Sequence, residues 1–148
     1  MIYDEEIHAS VHEGMKVSRS SLHLPFSHND VSSLRQVLKA LKTQETKDRK
    51  QGRNVFVAVE GIYSMDGDIC PLEEVVEVVE EELGKRGYIV VDEAHSTGVL
   101  GEKGRGLVNE LGLEGRVFAR LVTFGKALGA NGGKCSFLFC FFFLLDFV

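Results

Sequence analysis

Asp92, His95 and Lys126 are the residues whose types and placing could do chemistry together. The segment YIVVDEAH, residues 88–95, runs from an apolar stretch into two acids and an imidazole, and the glycine-rich STGVLGEKGRG follows it directly. An acid and an imidazole at the end of a buried strand are unfavourable unless something uses them. Lys126 comes one helix and one strand later, in TFGKALG. A lysine held in a crevice can form a Schiff base with an aldehyde cofactor. Pyridoxal phosphate (PLP) needs such a lysine and a carboxylate opposite its ring nitrogen, so that the ring can accept electrons when a bond at the substrate Cα breaks. On that reading Asp92 is buried because its partner is a buried cation. Taken alone, Lys126 also reads as an exposed loop lysine.

Two other chemistries fit parts of the same segment. VVDEAH resembles the acidic segment of DEAH-box helicases, where the acid holds Mg²⁺, but that chemistry also needs the phosphate cradle G-x-x-x-x-G-K-[ST]. Gly84-Lys85 and Gly125-Lys126 are followed by Arg86 and Ala127, and Val79 and Arg120 stand where the cradle's first glycine belongs. Nucleotide hydrolysis is therefore excluded. A metal hydrolase could use Asp92, Glu93 and His95, yet the two acids face opposite sides if the strand continues. No second histidine lies at helical spacing from His95, and His8 and His12 sit in only weakly helical sequence. GEKGRG has its glycines in the order G-x-x-G-x-G with no strand leading into them, and reads as a turn.

The elements that must position these residues alternate. Val31, Leu34, Leu38 and Leu41 fall at helical spacing, with Asn29 or Asp30 as N-cap. The polar run 42–54 reads as the end of that helix and an exposed loop. VFVAVE (55–60) is short and β-branched, as in a strand buried on both faces. Pro71 opens a second helix in its first turn, with Leu72, Val75, Val76, Val79 and Leu83 as its apolar stripe and Gly84 or Gly87 as its close. YIVVD is the next strand, GLVNELGL a short helix, and residues 117–124 a further strand. Strands alternating with helices imply a parallel sheet wrapped by helices on both sides. Ligands in such sheets sit at the carboxyl ends of the strands. Residues 60–68, 92–98 and 123–133 all follow a strand end, so all can line one crevice.

The chain has one domain's length, with 44% hydrophobic and 26% charged residues and a net charge of −5. The acidic balance argues against nucleic acid as a partner. Cys70, Cys135 and Cys140 show no metal-ligand spacing, which fits the cytoplasm or another reducing intracellular compartment. No secretory signal is visible at the N-terminus. FLFCFFFLL (137–145) is too short for a membrane span of roughly 20 residues. Gly133-Lys134-Cys135 is what an unspliced intron would encode, so residues 134–148 are expected to be a non-native apolar tail, with a buried C-terminal strand as the alternative.

VEGIYSMDGDICPL, VVDEAHSTGVLGEKGRG and TFGKALGANGG closely resemble three successive motifs of the α-oxoamine synthases. HAS (8–10) and FSHND (26–30) resemble further segments of that family, and the likeness covers roughly residues 4–133. The resemblance implies an α/β fold: the three-layer, parallel-sheet large domain of the PLP-dependent, aspartate-aminotransferase-like enzymes, incomplete here. Residues 1–133 would be its central part. It implies condensation of an amino acid with an acyl-CoA by a homodimer, without nucleic acid or a membrane. The wording of SMDGD and TFGKALGANGG leans to the 8-amino-7-oxononanoate synthase type, hence to biotin synthesis. Another PLP transaminase or lyase, or a non-catalytic product of a truncated gene, are the alternatives.

Position by position, the resemblance makes Lys126 the lysine that carries the cofactor and the base at the substrate Cα. Asp92 would pair with the pyridine nitrogen, and His95 would hydrogen-bond the phenolic oxygen or the substrate. Thr123 would bind the phosphate, Ser64 the cofactor oxygen, and His8 would stack on the ring. Glu60 would contact substrate, as would His8, and Gly129, Gly132 and Gly133 would let the chain turn beside the lysine. His12, His23 and His28 receive no role. The family's segment before HAS and its smaller C-terminal domain have no counterpart here. The chain therefore reads as a fragment, expected to be inactive by itself.

Overall fold

The computed structural model describes residues 1–20, 22–47, 52–137 and 140–142. The chain runs β1 (Ile2–Asp4), α1 (Ala9–Val17), β2 (Leu24–Phe26), α2 (Val31–Lys47), β3 (Val55–Glu60), α3 (Leu72–Leu83) and β4 (Gly87–Asp92). It continues through α4 (Leu107–Glu110), β5 (Ala119–Thr123), β6 (Gly133–Phe137) and β7 (Cys140–Phe142). The strands form one sheet in the order β2-β1-β3-β4-β5-β6-β7.

The long elements follow their side chains. In α2 the Asp30 carboxylate accepts the Ser33 N–H at 2.9 Å and caps the helix, while Asn29 takes a positive φ of 51°. Leu34, Leu38 and Leu41 then face inward. Pro71 occupies the N-cap of α3, which buries Leu72, Val75, Val76, Val79 and Leu83 and ends at Gly84. Both helices pack over Val55, Val57, Val59, Ile89 and Val91 in one core. On the other sheet face Phe56 stacks on Tyr88 at 5.1 Å. Tyr3 lies on that face too, with His12 of α1 edge-on to it at 5.1 Å.

The sheet is parallel from β2 to β5, but β6 and β7 run antiparallel. The strands expected from the sequence, β3 to β5, are parallel as it implies, and the antiparallel pair extends the sheet beyond them. The link from β5 to β6 is a short return, closed by Phe124 N–H to Gly132 O at 2.8 Å and Ala130 N–H to Phe124 O at 2.6 Å. A return of that length cannot make the crossover that a parallel strand requires. Lys134 to Phe137 lie in β6. Residues 138, 139 and 143–148 of the expected apolar tail lie outside the described residues. Among the described residues no helix is long and apolar enough to cross a membrane.

At the end of β4 the chain alternates as a strand should, so Asp92 and Glu93 part company. Glu93 is fully buried. One of its oxygens accepts the Val108 N–H at 2.7 Å, and the other is paired with the Arg120 guanidinium. Arg120 also donates to the Arg105 carbonyl. Gly106, at φ 94°, passes so close that a Cβ there would strike the Glu93 carboxylate. The glycine-rich loop is thus folded around a buried ion pair. Arg120→Met is expected to lower the free energy of unfolding by about 3 kcal/mol, because it leaves Glu93 buried without its cation. Adding Glu93→Gln should restore a large part of that loss in urea denaturation; equal losses in single and double variants would show the pair to be uncoupled.

Candidate active site

The register of β3 on β4 pairs Glu60 with Asp92, so two carboxylates stand side by side at adjacent strand ends. Both are buried, at 2% and 7% exposure. Backbone donors meet each of them. Asp92 Oδ1 accepts the Ala94 N–H at 2.9 Å, and Glu60 Oε1 accepts the His8 N–H at 2.6 Å. Burial, followed by the neighbouring Asp92 charge, pushes the Glu60 carboxyl up to about 7, against the pull of the His8 N–H and Lys126. His8 caps α1, its Nδ1 accepting the Ser10 N–H at 3.2 Å.

The lysine arrives from the opposite side. β5 ends at Thr123, and the return to β6 carries Lys126, tied back by a 3.4 Å hydrogen bond from Ala127 N–H to Ala94 O. Gly132 takes a φ of 102°, the left-handed region that lets this return close without strain. A cavity of about 280 Å³ results, lined among others by His8, Asp92, Thr123, Lys126 and Gly133. Two larger cavities, of about 510 and 560 Å³, lie away from the paired acids. The first is an apolar hollow between Leu24, Leu41 and Phe56, and the second lies beside Arg105 and Arg120.

His95 sits close enough to feel Lys126, Asp92 and His8. Burial, then the Lys126 charge, hold its imidazole below the ordinary range. Its Nε2 is buried and has no protein partner. The sequence-expected residues His8, Glu60, Asp92, His95, Thr123 and Lys126 therefore gather at one place. Ser64 does not join them: it is exposed on the turn after β3 and is not among the residues lining the crevice. Ser10, which the motif HAS contained but which received no role, does line it. Sequence reasoning also gave no role to His28, whose ring lies between the carboxylates of Asp4 and Asp68. Asp4 and His28 are distant in sequence and follow no shared period, so no local pattern marks them.

The residues present suit pyridoxal phosphate. A primary amine and a buried carboxylate line one small crevice, a threonine hydroxyl stands at its edge, and an unpartnered imidazole nitrogen lies beside it. Among the described residues no cluster of His, Cys, Asp or Glu is placed to hold a metal ion.

Residues 2–140 match the family described as aminotransferase class I and II. The chain is 51% identical over 133 residues to an 8-amino-7-oxononanoate synthase of Emericella nidulans, covering 89% of this chain and 32% of that protein. It is 41% identical over 133 residues to aminoacyl transferase sphA of Byssochlamys spectabilis, covering 89% of this chain and 28% of that protein. Its fold is similar to a serine palmitoyltransferase from S. paucimobilis solved with a bound PLP–myriocin aldimine. The TM-score is 0.73 at 34% identity, covering 89% of this chain and 30% of that one. The chain spans about a third of the length of the curated relatives it matches.

Glu60 has a consequence for stability. From the ordinary 4.5 up to about 7 the folded chain holds more proton on Glu60 than the unfolded chain does, so stability falls as pH rises through that window. Glu60→Gln removes this fall. The difference in unfolding free energy between the two proteins should shift by about 2 kcal/mol across the window, in favour of the variant at its upper end. Denaturant titrations in a pH series measure it, and parallel curves for the two proteins would contradict the assignment.

Proposed function

The chain belongs to the aminotransferase class I and II family, as one of its PLP-dependent α-oxoamine synthases, and we propose that the whole protein condenses an amino acid with an acyl-CoA. The observation that carries this reading is that Lys126 and Asp92 line the same crevice, with Glu60 and His95 beside them. Pyridoxal phosphate supplies an electron sink for a bond broken at the substrate Cα. The protein's own groups do the rest. Lys126 would hold the cofactor and then move the proton at the substrate Cα. The Asp92 carboxylate would hold a proton on the pyridine nitrogen, its position fixed by the Ala94 N–H. His95, kept neutral by burial and by Lys126, can accept or donate a hydrogen bond toward the acyl group.

Thr123 is assigned to the phosphate and the His8 ring to the pyridine face, while the exposed Ser64 lies off the crevice and keeps no cofactor role. Glu60 stands at the substrate side, near half-protonated at neutral pH. Within the family we favour the 8-amino-7-oxononanoate synthase type, and hence biotin synthesis, on the 51% identity to such an enzyme. The homodimer belongs to the same reading. Met65, Val99 and Leu128 are 86%, 62% and 44% exposed, and a second subunit would cover them.

The test is chemical. Purified protein mixed with PLP should gain visible absorbance. Borohydride reduction followed by peptide mass mapping should then place the cofactor on Lys126. Lys126→Ala should abolish both signals, and Asp92→Asn should weaken binding roughly tenfold or more by removing one member of a buried charge pair. Labelling of Lys134 or another lysine in place of Lys126 would overturn the reading.

A further inference from the structure

Asp4, at the end of β1, is a carboxylate with no exposure at all. Its Oδ1 accepts the Glu6 N–H at 3.0 Å and meets His28 Nδ1 at 2.8 Å, and its Oδ2 accepts the Asn29 N–H at 2.8 Å. The other ring nitrogen, His28 Nε2, meets Asp68 Oδ2 at 2.7 Å. Ionised carboxylates only accept hydrogen bonds, so a ring held between two of them needs both nitrogens protonated. Asn29 Nδ2 donates to the same Asp68 oxygen at 2.5 Å. The remaining groups facing the ring are the Asn29 amide nitrogen, 3.3 Å from Nε2, the Glu6 carboxylate, 3.8 Å from the same atom, and the Tyr63 ring, edge-on at 4.4 Å. Glu5 accepts the His28 backbone N–H. Every charged neighbour is an acid.

The two carboxylates belong to the two chain segments that flank Glu60. Asp4 opens the run that leads to His8, whose N–H holds Glu60. Asp68 closes the turn that carries Ser64, with Tyr63 N–H donating to Asp68 O at 3.0 Å and Gly67 N–H to Tyr63 O at 2.9 Å. We propose that His28 is a positioning residue: as an imidazolium between Asp4 and Asp68, it fixes the His8 segment and the Ser64 turn relative to Glu60. That this arrangement serves a cofactor rests on the function proposed above; the clamp itself does not. Burial works against the charged ring but is outweighed by the bonds to Asp4 and Asp68, which bring it up to about 9. The stabilisation is therefore complete below the ordinary 6.5 and is lost as pH rises through about 9.

The experiment uses the whole chain without PLP. His28 is titrated by NMR, and exchange of the Tyr63 and Gly67 amides is compared with that of Val57 and Val59 in β3. The His28 midpoint should lie near 9. Across it the two turn amides should lose roughly tenfold in protection, the scale of a charge-assisted hydrogen bond, while the strand amides keep theirs. His28→Gln should show the loss at every pH. Asp68→Asn, at the exposed edge of the cluster, should lower the midpoint without unfolding the chain. A midpoint near 6.5, or turn protection unchanged in both variants, would overturn the clamp. PLP titration separates the two ideas. His28→Gln should bind PLP roughly tenfold more weakly with a flattened pH profile. Lys126→Ala should lose the cofactor yet keep the His28 titration. Failure of the unaltered chain to take up PLP, with the clamp titrating as expected, would remove the function and leave the clamp standing.

Discussion

Parallel pairing of β3 with β4 sets Glu60 beside Asp92, and two buried carboxylates on neighbouring strands cannot both stay charged unless cations or donors compensate them. The surroundings read as an answer to that constraint. Asp92 receives the Ala94 N–H, Glu60 receives the His8 N–H, and the Lys126 charge acts on Glu60 from the crevice that Asp92 lines. Burial, and after it the Asp92 charge, still outweighs these partners at Glu60, which rises to about 7. The site thus holds, beside Asp92, one acid poised to change state near neutrality. This is the pattern by which adjacent carboxyl groups take different duties. Lys126 also acts on His95, helping to hold its imidazole neutral. One ammonium therefore disfavours protonation of both neighbours.

The molecule spends its other buried charges on holding loops. Along β4 the pleat sends Asp92 to the crevice and Glu93 to the opposite side, where Arg120 and the Val108 N–H engage it. A slip of one residue in that strand would exchange the two acids, leaving a loop brace in the crevice and an unpaired carboxylate in the core. Ile89 and Val91 are buried while Tyr88 and Val90 on the other face are only half-buried, and that difference fixes the register. The Asp4–His28–Asp68 cluster does for the β1 and β3 ends what Glu93 and Arg120 do for β4 and β5. In each case a fully buried acid, Asp4 or Glu93, is paired with a cation that ties a neighbouring loop to it.

Legibility in the sequence followed the length and period of each element. β3, α3 and β4 could be read almost to the residue, since their β-branched runs and the stripe from Leu72 to Leu83 carry strong patterns. β1, α1 and β2 could not. Three-residue strands such as Ile2–Asp4 and Leu24–Phe26 have no period to detect, and they exist because neighbouring strands supply their hydrogen bonds. The turn to antiparallel pairing after β5 was also hidden, because the same apolar alternation serves either direction. Among the chemical residues, Asp92, His95 and Lys126 declared themselves by lying just after strands. His28 did not, since its meaning comes from Asp4 and Asp68, which only the fold brings to its two nitrogens.

The reversal of direction at β6 bears directly on the chemistry. A parallel strand after β5 would need a crossover of a dozen or more residues, carrying whatever follows Thr123 away across a face of the sheet. The short return instead keeps Lys126 within a few residues of Thr123, above the strand ends where Asp92 already lies. Gly132 in its left-handed conformation and the bond from Phe124 N–H to Gly132 O close that return tightly. The backbone that carries Lys126 is thereby anchored from two sides, by the β5–β6 pairing and by the Ala127 contact to Ala94. A lysine on a free loop would sample many positions and meet the carboxylate only part of the time. Here the same peptide that follows Lys126 is bonded to the segment joining Asp92 to His95, so amine, acid and imidazole are held as one unit.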